Sequence, residues 1–258
     1  MKKTLLEKTA NKLVNAFVNN KIIAPIPKKF TKKITEAQKL RKLCESKIKD
    51  SVIGFKAAGT GIPVIKKLKE KEPFYASIYQ NNFLKSGKQV KINKFTLGIE
   101  LEVCYIIKKK FFSSKKIITI KNVTKYISHM APCIEIIGYR QRKKGITSFG
   151  DLCSDFGANV KFLIGQKKKY KKINIGDLKT TIVNKKIKQS VKGNTNTVYI
   201  NPLNSLRFVL NKIRKDKIKL NKDFYIFTGS TVGVVPILGK GLYEGNIKTL
   251  GSVKAFIN

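Results

Sequence analysis

The chain has 258 residues, enough for one large domain or a core with a helical extension, and its 42% apolar content excludes a disordered polymer. No apolar run reaches the length of a membrane span, and residues 1–20 intersperse Lys3, Glu7, Lys8 and Asn11 among apolar residues, unlike a signal peptide. The formal net charge is +40, yet Arg occupies only positions 41, 140, 142, 207 and 214, and the lysines are spread over the whole chain, which argues against a sequence-specific nucleic-acid reader; non-specific, salt-sensitive polyanion binding is expected.

The first predicted element is a helix over residues 4–19, with Leu5, Leu6, Leu13, Phe17 and Val18 near one face. A Pro- and Lys-bearing connector follows over residues 22–33. Thr35 and Gln38 have the spacing of a capping box that opens a helix to about Lys49, with Ala37, Leu40, Cys44 and Ile48 inward. Residues 51–56 predict a short buried strand that ends, against its apolar pattern, on Lys56. Most lysines in this chain are solvated surface, so position alone leaves the role of Lys56 open. Next come Gly59, Thr60 and Gly61, which permit a tight turn and close backbone approach to a ligand, without the third glycine of a dinucleotide fingerprint. Pro63 suits the first turn of a helix running to about Lys71.

Residues 96–107 form an apolar run of strand length with two acids in its middle. Side chains two apart on a strand share a face, so Glu100 and Glu102 project together while Ile99, Leu101 and Val103 face the other way. Adjacent same-face carboxylates repel unless a cation neutralises them, and a hard divalent ion does so with oxygen ligands. The plain alternative is an exposed strand face bearing two solvated acids. A basic loop follows at residues 108–116, and residues 119–130 predict a short helix bearing His129, the sole histidine, which has no Cys or His neighbours to suggest zinc. Residues 131–140 predict a second buried strand. Its Glu135 is an acid in an apolar run, expensive to bury alone and a natural third ligand for whatever Glu100 and Glu102 hold.

Residues 149–155 predict a short helix, 160–165 a strand, 167–172 a solvated basic run, and 180–191 a hairpin turning near Asn184 and Lys185. Asn201 caps a helix that starts on Pro202 and runs to about Lys215, with Leu203, Leu206, Leu210 and Ile213 inward. The remaining residues predict strands over 224–227, 233–238 and 245–257, with a turn at 228–230. Cys44, Cys104, Cys133 and Cys153 show no C-x-x-C spacing, and three of them lie in apolar runs. They read as reduced thiols of a cytoplasmic protein without a disulfide framework.

Several blocks, in order, resemble the 2-keto-4-pentenoate hydratase and 2-oxohex-3-enedioate decarboxylase group of the fumarylacetoacetate hydrolase superfamily. They are Gly54-Phe55-Lys56 with Thr60, Ile99-Glu100-Leu101-Glu102, Pro132-Cys133-Ile134-Glu135-Ile136-Ile137-Gly138, Asn201-Pro202-Leu203-Asn204, Phe227-Thr228-Gly229-Ser230 and Leu250-Gly251-Ser252-Val253. The resemblance runs from about residue 34 to the C-terminus. It implies an α+β fold, a mixed, mostly antiparallel β roll, with an α-helical N-terminal region at 1–50 and a catalytic domain at 51–258. It implies that Glu100, Glu102 and Glu135 hold Mg2+ or Mn2+, that Lys56 assists proton transfer or stabilises the enolate, and that Asp155 is a second catalytic group; burial and the nearby metal would both lower the Lys56 pKa. The substrate implied is a small 2-oxo acid, and the assembly a homo-oligomer.

The resemblance leans to hydration of 2-oxopent-4-enoate, with decarboxylation, C–C hydrolysis and a polyanion-binding module on an inactive enzyme fold as alternatives. Two departures bear on the choice. Relatives commonly carry an Asp in a Pro-Asp-Phe-Gly block where this chain reads Pro73-Phe74-Tyr75-Ala76. They also read Asp-Asn-Ala-Ser where this chain has Asp155-Phe156-Gly157-Ala158. Both losses fall on the water-handling part of the expected site.

Overall fold

The computed structural model describes residues 4–141, 146 and 148–258. Its strands form two sheets. In chain order they are β1 (Val52–Ala58), β2 (Phe74–Tyr79), β3 (Phe83–Lys85), β4 (Gln89–Val90), β5 (Thr96–Ile107), β6 (Ile127–Gly138), β7 (Asn159–Ile164), β8 (Lys168–Lys169), β9 (Lys179–Asn184), β10 (Gln189–Asn194), β11 (Phe224–Ser230), β12 (Gly241–Ile247) and β13 (Gly251–Ile257). The larger sheet runs β2-β1-β11-β5-β6-β7-β3, with β8 paired to β6, and the smaller runs β10-β9-β12-β13-β4. Among the described strands only β1–β11, β3–β7 and β4–β13 pair in parallel, so the fold is the mixed, mostly antiparallel α+β roll that the sequence resemblance implied.

Alternation explains why the two long strands sit where they do. One face of β5 carries Ile99, Leu101, Val103, Tyr105 and Ile107, which pack with Ile134 and Ile136 of β6 and with Ile182, Tyr243, Val253 and Ala255 of the smaller sheet. Helix α5 (Pro202–Lys215) adds Leu206, Val209, Leu210 and Ile213 to this core, and Asn201 caps it as its sequence predicts. At about 25 cal/mol per Å2 of apolar surface, each such side chain contributes about 2 kcal/mol by leaving water. The opposite face of β5 and β6 bears the acids and continues as Cys104, Ile106 and Cys133.

The other α-helices among the described residues are α1 (Leu5–Val18), α2 (Ile34–Glu45), α3 (Ile62–Lys67) and α4 (Phe149–Ser154), and short 3-10 turns link several elements. The N-terminal pair forms a satellite core of Ala10, Leu13, Phe17, Leu40 and Cys44 that closes on Tyr79 and Phe156. Thr4 and Glu7 make a reciprocal cap on α1, whose buried face is Thr9, Ala10, Leu13, Ala16 and Phe17. Leu5 and Val18, expected inward, are exposed. The capping box expected from Thr35 and Gln38 does not form, because the helix already starts at Ile34 and its N-cap is Lys33.

Other elements also differ from expectation. His129 lies in β6, opposite Ile106, because β6 begins at Ile127 and the turn before it ends at Tyr126. The expected turn at 228–230 is the end of β11, and residues 233–238 hold only a bridge from Val235 to Ile99. The long final strand is a hairpin of β12 and β13. All four cysteines are free and buried. Among the described residues no helix is long and apolar enough to cross a membrane.

Candidate active site

The register of β5 against β6 builds the acidic cluster. Glu100 stands opposite Glu135, and Glu102 opposite Cys133, so the three carboxylates emerge on one face of two neighbouring strands. Each offers an oxygen, and these oxygens lie within 4.8 Å of one another, a spacing that suits ligands of a single cation. Glu102 and Glu135 are fully buried, whereas Glu100 is half-buried and faces a cavity. Glu102 Oε2 accepts a 2.7 Å hydrogen bond from the Gly229 backbone N–H. Gly229 has φ +108°, and a Cβ there would fall 2.0 Å from Thr60 Oγ1, so only glycine lets β11 approach this closely.

Lys56 comes from β1, separated from β6 by β11 and β5. In a flat sheet three strand spacings amount to about 14 Å. The curl of the roll and the length of the lysine stem close that gap. Its ammonium donates to Glu135 Oε1, and to the Gly157 carbonyl at 2.9 Å. Glu135 therefore uses one oxygen on Lys56. Glu135 Oε2 and Glu102 Oε1 are buried without a hydrogen-bond partner among the described residues. Buried carboxylate oxygens left unpaired are costly, and a divalent cation satisfies both, so the residues present fit a hard metal ion.

The electrostatics point the same way. Burial raises the Glu100 carboxyl to about 7, with Glu135 adding to the shift and Lys56 opposing it. Burial and repulsion from Glu135 and Glu100 raise Glu102, while the Gly229 N–H opposes. Burial also raises Glu135 against the pull of Lys56. The lowered pKa expected for Lys56 relied on a nearby cation as well as burial; the carboxylates by themselves act the other way. Burial alone would lower it, but Glu135, Glu100 and Glu102 together hold it above its ordinary value.

The cavity over Glu100 has a volume of about 380 Å3, suited to a small ligand. Lys56 and Thr60 lie on its lining, and Val64, Leu97 and Val234 give it a partly exposed apolar rim. Phe74 is absent from this lining. It is buried against Phe149 at 5.7 Å between ring centroids, within an apolar cluster that includes Ala37 and Ile65. Asp155 also lies away from the cavity. Its Oδ2 accepts from the Arg140 backbone N–H at 2.6 Å and its Oδ1 from the Arg140 guanidinium at 3.0 Å, both groups fully buried. His129 is six residues from Glu135 along β6, about 20 Å at strand rise.

Two groups at the site were invisible in the sequence reading: the Gly157 carbonyl and the Gly229 N–H. Both are backbone atoms, and the only available sign was a glycine after Phe156 and another after Thr228.

No protein-family model matches this chain, and no curated protein sequence matches it. Solved structures do. The chain is similar to 4-oxalocrotonate decarboxylase from Pseudomonas putida G7, in a complex with magnesium and adipate, at 18% identity and a TM-score of 0.86 over 100% of this chain and 99% of that one. It is also similar to fumarylpyruvate hydrolase from Pseudomonas aeruginosa, in complex with Mn2+ and pyruvate, at 10% identity and a TM-score of 0.60 over 81% and 90% of the two chains. A third similar structure is 5-carboxymethyl-2-hydroxymuconate delta-isomerase from Mycobacterium smegmatis, at 12% identity and a TM-score of 0.57 over 81% and 80%.

Proposed function

Starting from a chain with the fold of the fumarylacetoacetate hydrolase superfamily, we propose that it is a divalent-cation-dependent lyase acting on a small 2-oxo acid. The observation that supports this most is the buried cluster of Glu100, Glu102 and Glu135, with two orphaned carboxylate oxygens beside a lysine on the wall of a small-molecule cavity. These are the residues that would hold Mg2+ or Mn2+. Such a cation, when bound, would polarise the 2-oxo group and orient it with the adjacent carboxylate.

The chain's own residues supply the rest. Val64, Leu97 and Val234 at the rim shield the carbon skeleton and limit water. Lys56, anchored at Glu135 and Gly157, presents its ammonium to the cavity, where it stabilises negative charge growing on the enolate oxygen and carries a proton to or from it. In decarboxylation of a 2-oxohex-3-enedioate-type substrate, the distal C–C bond breaks and CO2 leaves. The electron pair moves along the conjugated carbons to the 2-oxo oxygen.

Decarboxylation is favoured over the hydration that the sequence resemblance leans to. Hydration needs a group to deliver water, and position 74 offers a phenylalanine buried in a core rather than an acid facing the cavity. The full-length likeness to a decarboxylase agrees with this choice. Asp155, engaged by Arg140 through both oxygens, is assigned a positioning role. A cytoplasmic site of action and a homo-oligomer remain part of the reading.

The test is to assay 2-oxohex-3-enedioate and 2-hydroxypenta-2,4-dienoate with Mg2+, with Mn2+ and with chelator. Cation-dependent CO2 release from the first substrate, with little hydration of the second, is expected. Fast hydration of the dienoate instead selects the hydratase, cation-independent turnover removes the cation's role, and absent turnover of both removes the lyase assignment.

A further inference from the structure

Residues Phe156, Gly157 and Ala158 run through three successive left-handed backbone conformations, with φ of 54°, 71° and 62°. Only the middle one is a glycine, so two side-chain-bearing residues hold a conformation that L-residues resist. Such a run persists only where its surroundings over-determine it.

Here they do so from three sides. Phe156 is fully buried, with its ring centroid 4.4 Å from that of Phe17 on α1. Arg140 grips both ends of the turn: its backbone N–H and guanidinium donate to Asp155, and its Nη2 donates to the Asn159 carbonyl at 2.6 Å. The same guanidinium lies 4.9 Å over the Phe17 ring, so the N-terminal helix bears on the arginine and the turn together. At the centre of the turn, the Gly157 carbonyl accepts the 2.9 Å hydrogen bond from Lys56. A Cβ on residue 157 would lie 3.2 Å from Ala76 Cβ and 3.5 Å from Lys56 Cδ, so the turn also bounds the lysine stem.

We propose that the left-handed turn Phe156–Ala158, clamped by Phe17 and Arg140, is the positioning device for Lys56, and that α1 is thereby part of the catalytic apparatus. A lysine stem is flexible, and Glu135 alone cannot orient its ammonium while also serving a cation. A carbonyl fixed by a rigid turn supplies the second point that sets direction. Phe17 and Phe156 act through Lys56 and are positioning residues. The inference rests on the reading of Lys56 as the proton carrier.

The experiment follows hydrogen exchange at C3 of 2-oxopentanoate in D2O by NMR, with Mg2+ and the full chain. Lys56→Met sets the floor. Phe17→Ala should lower the saturated exchange rate on the order of tenfold, because small misplacements of a reacting group are costly. Half-saturation by 2-oxopentanoate and by Mg2+ should stay within about twofold of wild type, a separation of rate from binding that a purely structural role does not produce. Phe17→Leu, which refills most of the volume, should restore the rate. Phe17→Ala exchanging at the wild-type rate, or losing rate and both affinities together, overturns the proposal.

If Phe17→Ala does not fold, Gly157→Ala replaces it. That variant should be slow, and Ala76→Gly in the same chain should restore part of the rate; Gly157→Ala at the wild-type rate overturns the proposal. Wild-type exchange in Lys56→Met overturns both this inference and the role of Lys56. A slow Lys56→Met beside fast turn variants overturns the inference alone.

Discussion

Glu135 stands opposite Glu100 across the β5–β6 ladder, and its two oxygens have different fates: Oε1 takes the Lys56 ammonium, while Oε2 is buried without a partner among the described residues. One carboxylate thus links Lys56, the proposed proton carrier, to the cluster of three carboxylates.

Replacing that link is the first prediction. Glu135→Gln keeps an oxygen for Lys56 but removes a negative charge from the cluster. Affinity for Mn2+ should fall by more than about 100-fold, beyond the usual range for losing a mere outer partner of a metal ligand. The circular dichroism spectrum should remain that of wild type. Calorimetry giving equal Mn2+ affinity for the two proteins contradicts the three-carboxylate site.

Cation binding should depend on pH with a definite sign. Glu100 is raised from 4.5 to about 7 in the folded chain. The folded chain therefore holds a proton that the unfolded chain releases between those values. Without metal, stability should fall as pH rises through that window. A cation requires the ionised form, so Mn2+ affinity should drop as pH falls below about 7 and binding near pH 6 should release protons. Thermal melts with and without Mg2+ at pH 5 to 8, and calorimetry in two buffers of different ionisation enthalpy, read the two effects. Melts that rise with pH in chelator, or binding without proton release, contradict this account.

Lys56→Met keeps most of the side-chain bulk and removes the ammonium. Turnover should fall by about 100-fold or more, the usual range for a general acid–base group, while substrate still binds. Loss of substrate binding with an unchanged rate at saturation would make Lys56 a binding group only.

Asp155→Asn separates a catalytic from a positioning role. Removing one partner of a fully buried ion pair strands the Arg140 charge, and should destabilise the fold by about 3–5 kcal/mol. Urea unfolding should show this loss. A variant as stable as wild type but about 100-fold slower would restore Asp155 as a direct acid–base group.

Part of this architecture is legible in the sequence because it depends on short-range physics. Period-two alternation puts Glu100 and Glu102 on one face of β5, and Asn201 followed by Pro202 starts α5, whatever else the chain does. Local signals also compete, and there the sequence misleads. The box at Thr35 and Gln38 lost to a helix starting at Ile34, and β-strand pairing with β5 drew His129 out of its expected helix. Phe74 could be seen as a missing acid, but not as a core side chain, because that depends on Phe149, far along the chain, turning toward it.

The sequence by itself determined which residues of β5 alternate, that Asn201 caps α5, and that an acid pair and a third acid in an apolar run called for a partner. Only the tertiary structure decided that β6 lies beside β5 in the register that sets Glu135 against Glu100. It alone carried Lys56 across two intervening strands, and it held Phe156 to Ala158 left-handed beneath that lysine. Strand pattern is written residue by residue along the backbone. Register, sheet curl and a strained turn are settled by contacts between segments dozens of residues apart, through packing that no local stretch encodes.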